Sequence, residues 1–287
     1  MSRFLDKCCA FIRKEVPTGV IRISEMYEDD KIETVNFQNL ARCQNTYSVA
    51  KTFTMTGIGL LYDKGLLSVD EKICDIFAEE IPQSGVDERW KKSTIDMALR
   101  HRLGLPGGYL DIDTTDPKVF GLNYLDYVFK APLISYPDIS KSYSDAAFYL
   151  LARIVEKRSG MSLDNFLWQE LLFKLGFKEL AWSHCPLGHV MGGTGLYISS
   201  EDIARLGYLY ATGGIFKGER LLSEKWIELA KDRAYTLSGN YDHTFFTKGG
   251  MYGQKIMFSS KQRRGVGLQA FGGNSEIITE WIMNYED

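Results

Sequence analysis

The chain has 287 residues, 45% hydrophobic and 13% aromatic, enough for one large core or two closely packed subdomains. Its 34 basic and 37 acidic side chains leave a net charge of -3, which offers nothing to nucleic acid or to an anionic membrane surface. No apolar run approaches the roughly 20 residues of a membrane span, and none of the 4 histidines stands in an HExxH pair, so neither a membrane protein nor a zinc hydrolase is expected.

The N-terminus, MSRFLDKCCAFIRKEVPTG, lacks the uninterrupted apolar stretch and small-residue cleavage site of a secretory leader. Its Phe4, Leu5, Cys8, Phe11 and Ile12 recur at helical spacing instead. The cysteines at 8, 9, 43, 74 and 185 form no CxxC and cannot all pair within one chain. They read as reduced thiols, and the protein as cytoplasmic. GVIRISEMYEDDKIETVNF then reads as two strands around the polar turn Glu28-Asp29-Asp30. A helix follows from about Ser48 to Asp63, stopped by Gly65.

The middle of the chain is helical and irregular. STIDMALRHRLG, SDAAFYLLARIVEKRSG, SLDNFLWQELLFKLG and SSEDIARLGYLYATGG are each closed by glycine. Towards the C-terminus HTFFTKGG, YGQKIMFSS and GVGLQAFGG read as three consecutive strands, the last two joined through Lys261-Gln262-Arg263-Arg264. The tail returns to helical spacing, with Ile277, Ile278, Trp281 and Ile282 on one side. Strands at both ends with helices between predict an α+β fold. One antiparallel sheet is built from both termini, the terminal helices pack on the same face of it, and a mainly helical region is inserted. Within this single domain the expected division is a sheet subdomain of about 1–47 and 235–287 and a helical subdomain of about 48–234.

Three short patterns carry candidate chemistry. In Ser48-Val49-Ala50-Lys51 the serine and lysine are three apart and share a helix face, so the amine can reach the hydroxyl. A serine at a helix N-terminus lies where an oxyanion is favoured, and a desolvated lysine can lose its proton and act as a base. The plain alternative is a capping serine and a solvated lysine. In the second pattern Tyr143 and Asp145 flank Ser144 just before an amphipathic helix, where an extended stretch points both side chains one way. Tyrosine near lysine can exchange a proton in acyl transfer, and the Asp145 carboxylate can orient an ammonium. The alternative here is a buried tyrosine with a helix-capping aspartate. The third pattern, Lys248-Gly249-Gly250-Met251, ends a strand. Its glycines let a substrate backbone approach and leave main-chain N–H groups facing it, unless they merely form a hairpin turn. GGTGLY at Gly192–Tyr197 lacks the spacing of a dinucleotide fingerprint and reads as a tight turn before a helix near Ser200. There is no Walker A loop, and the absence of a GxSxG elbow argues against an α/β-hydrolase; neither cofactor nor metal is expected.

The order S-x-x-K, Y-x-[N/D], K-x-G resembles the serine β-lactamase and penicillin-binding-protein superfamily. The tyrosine of the second pattern is similar to the branch of class C β-lactamases, D-alanyl-D-alanine peptidases, related carboxylesterases and aminohexanoate-oligomer hydrolases. YSVAKTFTMTGIGLLYDKGLLSVDEKI looks like that branch's SxxKxxTxxxxxxLxxxGxLxLDxxV, and STIDMALRHRLGLPGGY like its ITIxxLLxHxSGL, with Leu103 where a serine is usual. YSDAAFYLLARIVEKRSGMSLDNFL and MGGTGLYISSEDIARLGYLYATGG resemble family stretches too, so the likeness runs from about Val20 to the end.

The resemblance implies a β-lactamase/transpeptidase-like fold with Ser48 as nucleophile, Lys51 as its activating partner and Tyr143 in proton transfer. Main-chain N–H groups of Ser48 and Met251 would form the oxyanion hole, and Asp145, Lys248, Gly249 and Gly250 would bind substrate. Asp145 stands where many relatives have asparagine, and Gly249 replaces a threonine whose hydroxyl often meets a substrate carboxylate. Both changes weaken the case for penicillin-like substrates. The expected activity is therefore hydrolysis of an ester or amide in a small molecule or short peptide through an acyl-enzyme. The alternatives are β-lactamase or D-Ala-D-Ala peptidase activity, or a non-catalytic sensor of the penicillin-binding type. Pocket walls would come from residues 107–141, whose Tyr109, Phe120, Tyr124, Tyr127 and Phe129 are nevertheless expected mostly in the core. Oligomeric state is not indicated.

Overall fold

A computed structural model describes residues 1–29 and 31–286. Asp30, the last residue of the expected Glu28-Asp29-Asp30 turn, lies outside the described residues. The chain divides into two units, one of Met1–Val49, Leu171–Ala181 and Leu196–Asp287, the other of Ala50–Glu170 and Trp182–Gly195.

The first unit is built on a six-stranded sheet. Its order is Lys31–Asn36, Val20–Glu28, Arg264–Ala270, Lys255–Ser259, Phe245–Gly249 and Ser238–Gly239, with antiparallel neighbours throughout. The last two of these in chain order, Lys255–Ser259 and Arg264–Ala270, place Met257 opposite Val266, while Ile23 faces Leu268. These residues share one face of the sheet, because side chains alternate along a strand. On that face lie the helices Arg3–Glu15 and Ser275–Met283, which bury Phe4, Leu5, Cys8, Ile12, Ile278 and Ile282 against them. Ser2 caps the first helix by accepting the Leu5 N–H at 3.0 Å.

The opposite face exposes Gly265 and Gly267 of the Arg264–Ala270 strand to the helix Ser200–Ala211. A methyl group on Gly265 would collide with the main chain of Tyr208 and Ala204, and one on Gly267 with the carbonyl of Ser200. Two glycines two residues apart thus let a helix backbone rest directly on the strand. This packing places the Ser200–Ala211 helix in the sheet unit, whereas the sequence pattern grouped it with the helical segments up to 234.

The second unit is helical. Its Ala50–Asp63 helix is buried from Ala50 to Leu61. A methyl on Gly57 would stand 2.9 Å from Leu163 Cδ1, so glycine permits close approach there. Gly65, at φ 69°, ends this segment, and Gly160, at φ 73°, caps the helix Asp145–Ser159. Thr94 caps the short helix Ile95–Leu99. Phe120, Tyr124 and Phe129 belong to the core, while Tyr109 and Tyr127 are half-buried and stacked at 4.8 Å. The five cysteines are free thiols, and no helix among the described residues is long and apolar enough to cross a membrane.

Candidate active site

In the sheet unit, Ser48 lies in a single 3-10 turn, Tyr47–Val49, that leads into the Ala50–Asp63 helix. The turn is held from both sides. Thr46, fully buried, donates its N–H and hydroxyl to the Leu196 carbonyl at 2.8 and 2.9 Å. The Thr46 carbonyl accepts the Val49 N–H at 3.1 Å, and Asn45 Oδ1 accepts the Tyr47 N–H at 2.9 Å. Tyr47 sits at φ 47°, a left-handed conformation that bulky side chains adopt at a cost and that clusters at functional sites.

The Phe245–Gly249 strand ends beside this turn. A methyl on Gly250 would stand 2.5 Å from both the Thr46 carbonyl and Gln254 Oε1, so only glycine allows that approach. Lys248 pairs with Ile256 and Gly249 with Lys255. A methyl on Gly249 would meet the Lys255 ammonium at 3.1 Å, and Lys255 Nζ is bonded to Glu276 at 2.5 Å. The Lys255–Glu276 pair thus fills the space into which a side chain at 249 would point. Met251 follows the strand and is half-exposed. Next to it, Tyr252 stacks on Phe271 at 4.4 Å and meets the edge of Tyr47 at 5.0 Å.

In the helical unit, Lys51 has no exposed surface, which excludes the solvated-lysine reading. Its ammonium donates to the Asp145 carboxylate and to the Gly193 carbonyl, the latter at 2.8 Å. It also lies 4.7 Å from the Tyr143 ring centre and 5.7 Å from that of Phe148. Asp145 is the first residue of its helix, where the positive end of the dipole favours a carboxylate. It can approach so closely because a methyl on Gly193 would stand only 3.0 Å from its Oδ1.

Burial, the largest influence on Lys51, pushes its pKa down. The charges of Asp145 and Tyr143 and their hydrogen bonds outweigh it, so the net shift is upward from 10.5 and the ammonium is retained. Burial alone would let this lysine lose its proton and act as a base, as its sequence position allows. The Asp145 carboxylate reverses that outcome. Asp111 and Asp113 stand near Asp145, with one oxygen from each of the three within 4.8 Å of the others. Asp113 accepts the Thr194 hydroxyl, and burial, ahead of other influences, pushes its carboxyl up. The cation beside this group is the Lys51 ammonium itself, which also acts on Asp113.

The structure thus places Ser48, Lys248, Gly249, Gly250 and Met251 in the sheet unit, and Lys51, Tyr143 and Asp145 together in the helical unit. Two participants were missed by sequence reasoning. Gly193 belongs to the GGTG stretch that read as a structural turn, and its carbonyl is a ligand of Lys51. His101 was part of a quoted helix segment, and its ring lies 4.3 Å from that of Tyr143, tilted by 34°. Its signal was in the sequence: it stands at the histidine of the resembled ITIxxLLxHxSGL stretch, to which no role had been given.

Comparison with known proteins places these residues in a family context. The family model described as Beta-lactamase matches residues 44–276. Penicillin-binding protein 4* of Bacillus subtilis (strain 168) is 31% identical over 161 residues, 54% of this chain and 33% of that protein. The chain therefore spans about a third of that relative's length. Among solved structures, a 6-aminohexanoate-dimer hydrolase from Bacillus anthracis superposes with a TM-score of 0.77 at 16% identity, over 93% of this chain and 78% of that one. A family VIII carboxylesterase superposes at 0.72 and 15% identity, over 96% and 94%. Both likenesses concern the fold.

Proposed function

The chain belongs to the beta-lactamase family, and from that premise we propose that it is a serine hydrolase cleaving an ester or amide bond of a small molecule or short peptide through an acyl-enzyme on Ser48. One observation carries this reading. Three residues after a serine held in a strained turn, a fully buried ammonium is bonded to a carboxylate and a carbonyl beside a tyrosine ring. Such an arrangement is costly to bury and serves no packing purpose that an apolar side chain would not serve better.

In this reading Ser48 Oγ attacks the carbonyl carbon. Tyr143 takes the serine proton as it hands its own to the departing alcohol or amine, and Lys51 offsets negative charge on the tyrosine oxygen during the relay. Lys51 acts as a fixed cation, and Tyr143 moves the proton. The tetrahedral oxyanion takes hydrogen bonds from the main-chain N–H groups of Ser48 and Met251, each such donor lowering the barrier by about 3–4 kcal/mol. Water then attacks the acyl-enzyme, gives a proton to Ser48 Oγ through the same tyrosine, and releases the acid.

A carboxylesterase and an aminohexanoate-dimer hydrolase among the proteins that share the fold are compatible with this substrate class. Gly249 supports it as well, because the hydroxyl that would meet a penicillin-type carboxylate is absent. Five free thiols fit a reducing, cytoplasmic setting. The test is active-site labelling with a fluorophosphonate, alongside turnover of p-nitrophenyl esters, D-amino acid amides and nitrocefin. The wild type is expected to label and to hydrolyse esters or amides, and Ser48→Ala, folded to the same melting temperature, to do neither. A wild type that neither labels nor turns over any of the panel overturns the proposal and leaves a ligand sensor in its place.

A further inference from the structure

His101 grips the chain on both sides of Tyr143. Its carbonyl accepts the Ser142 N–H at 2.8 Å, and its ring Nδ1 accepts the Ser144 N–H at 3.4 Å. Between these two anchors the Tyr143 carbonyl accepts the Gly108 N–H at 2.8 Å. The ring of His101 lies 4.3 Å from that of Tyr143 and 5.0 Å from that of Phe148, at interplanar angles of 34° and 36°. The Lys51 ammonium faces the same two rings.

The residue that does this is itself unusual. His101 is 1% exposed and adopts φ 57°, in the left-handed region where asparagine, aspartate and histidine are tolerated better than other side chains with a Cβ. That conformation turns the main chain so that the carbonyl and the ring of one residue both point at the 142–144 segment. Accepting the Ser144 N–H requires the Nδ1 lone pair, so the ring proton of the neutral imidazole resides on Nε2. A buried histidine in this form provides shape and an acceptor, with no charge of its own.

We propose that His101 is a positioning residue for Tyr143. By holding the N–H groups of Ser142 and Ser144 on either side of Tyr143, it sets the base from which the phenol projects and keeps the phenol beside Lys51 during proton relay. The inference rests on the hydrolase reading above for its effect on rate. The anchoring itself is observable without turnover.

The experiment separates the acceptor from the ring. Asparagine and glycine both tolerate the left-handed backbone and both lose the ring. Only asparagine offers an oxygen at the place of Nδ1. His101→Asn is expected to lower the melting temperature, because ring packing is lost, yet to keep kcat within about threefold of wild type, whereas His101→Gly loses about 100-fold in kcat, the scale set by misplacing a reacting group by an ångström. KM is expected to stay within about twofold in both, since the relay group is displaced and the substrate contacts remain.

If His101→Gly does not fold, His101→Phe replaces it, keeping a ring against Tyr143 while removing the acceptor. The second readout is hydrogen exchange of the Ser144 amide, expected to be slow in wild type and His101→Asn and fast in the variant lacking the acceptor. Equal kcat in the asparagine and acceptor-less variants, or activity that simply follows melting temperature, overturns the proposal. A wild type without label or turnover refutes the hydrolase reading instead, and the Ser144 exchange rates then decide whether His101 anchors the segment.

Discussion

Asp145 governs a single proton. Burial acts to discharge Lys51, and the Asp145 carboxylate and neighbouring Tyr143 outweigh it, raising the lysine pKa above its ordinary 10.5. A raised lysine is charged throughout the neutral range and loses its proton only as pH climbs through the folded-state value. Any rate that depends on the Lys51 cation therefore persists into alkaline solution in the wild type. Asp145→Asn keeps the shape and removes the charge, leaving burial to act with less opposition. The alkaline limb of kcat against pH is expected to move down by about 1–3 pH units, the usual influence of an adjacent opposite charge. An unmoved limb would show that Asp145 does not hold the proton. That Lys51, Tyr143 and Asp145 lie together was legible in the sequence, because their order is motif-like. The protonation of Lys51 was not, because it depends on partners 94 and 142 residues away in the chain.

Glycines decide how elements approach one another, and they act differently at adjacent positions. At Gly250 a methyl would meet two oxygens at 2.5 Å. One of them, the Thr46 carbonyl, is committed to the Val49 N–H of the turn that carries Ser48. At Gly249 a methyl meets only the flexible end of Lys255. Gly250→Ala is thus expected to shift the strand end and lower kcat by about 100-fold, while Gly249→Ala stays within about threefold. Steady-state kinetics with circular-dichroism melting curves check this, and a Gly250→Ala enzyme with wild-type kcat would separate the strand end from the chemistry. The three C-terminal strands were readable from alternation and turn residues, and the Ala50–Asp63 helix from its glycine stop. The seat of the Ser200–Ala211 helix was not. Gly265 and Gly267 look like weak points in a strand until the backbone resting on them is seen.

The two ends of the chain share one core. Arg3–Glu15 and Ser275–Met283 close over strands contributed by residues 20–28 and 255–270, so this packing requires partners separated by most of the sequence. Alternation at both ends made the shared sheet legible, whereas side-chain partners across that distance were not. Phe4 is the clearest of these. It is 1% exposed, packs against Trp281 and Tyr285, and carries the Arg264 guanidinium 4.1 Å from its ring centre. Arg264 in turn holds the fully buried Glu25 at 2.5 Å, so losing the ring also loosens a buried ion pair. Phe4→Ala is expected to cost about 3–5 kcal/mol, a large part of the roughly 5–15 kcal/mol that holds a typical domain. Ser48 and the Lys248 strand belong to the same unit as this core. Fluorophosphonate labelling of Ser48 should therefore disappear at the same urea concentration as the sheet unit's tryptophan signal, with both midpoints shifted down together in Phe4→Ala. Labelling that outlasts the fluorescence transition would mean that the nucleophile's turn is held independently of the terminal helices.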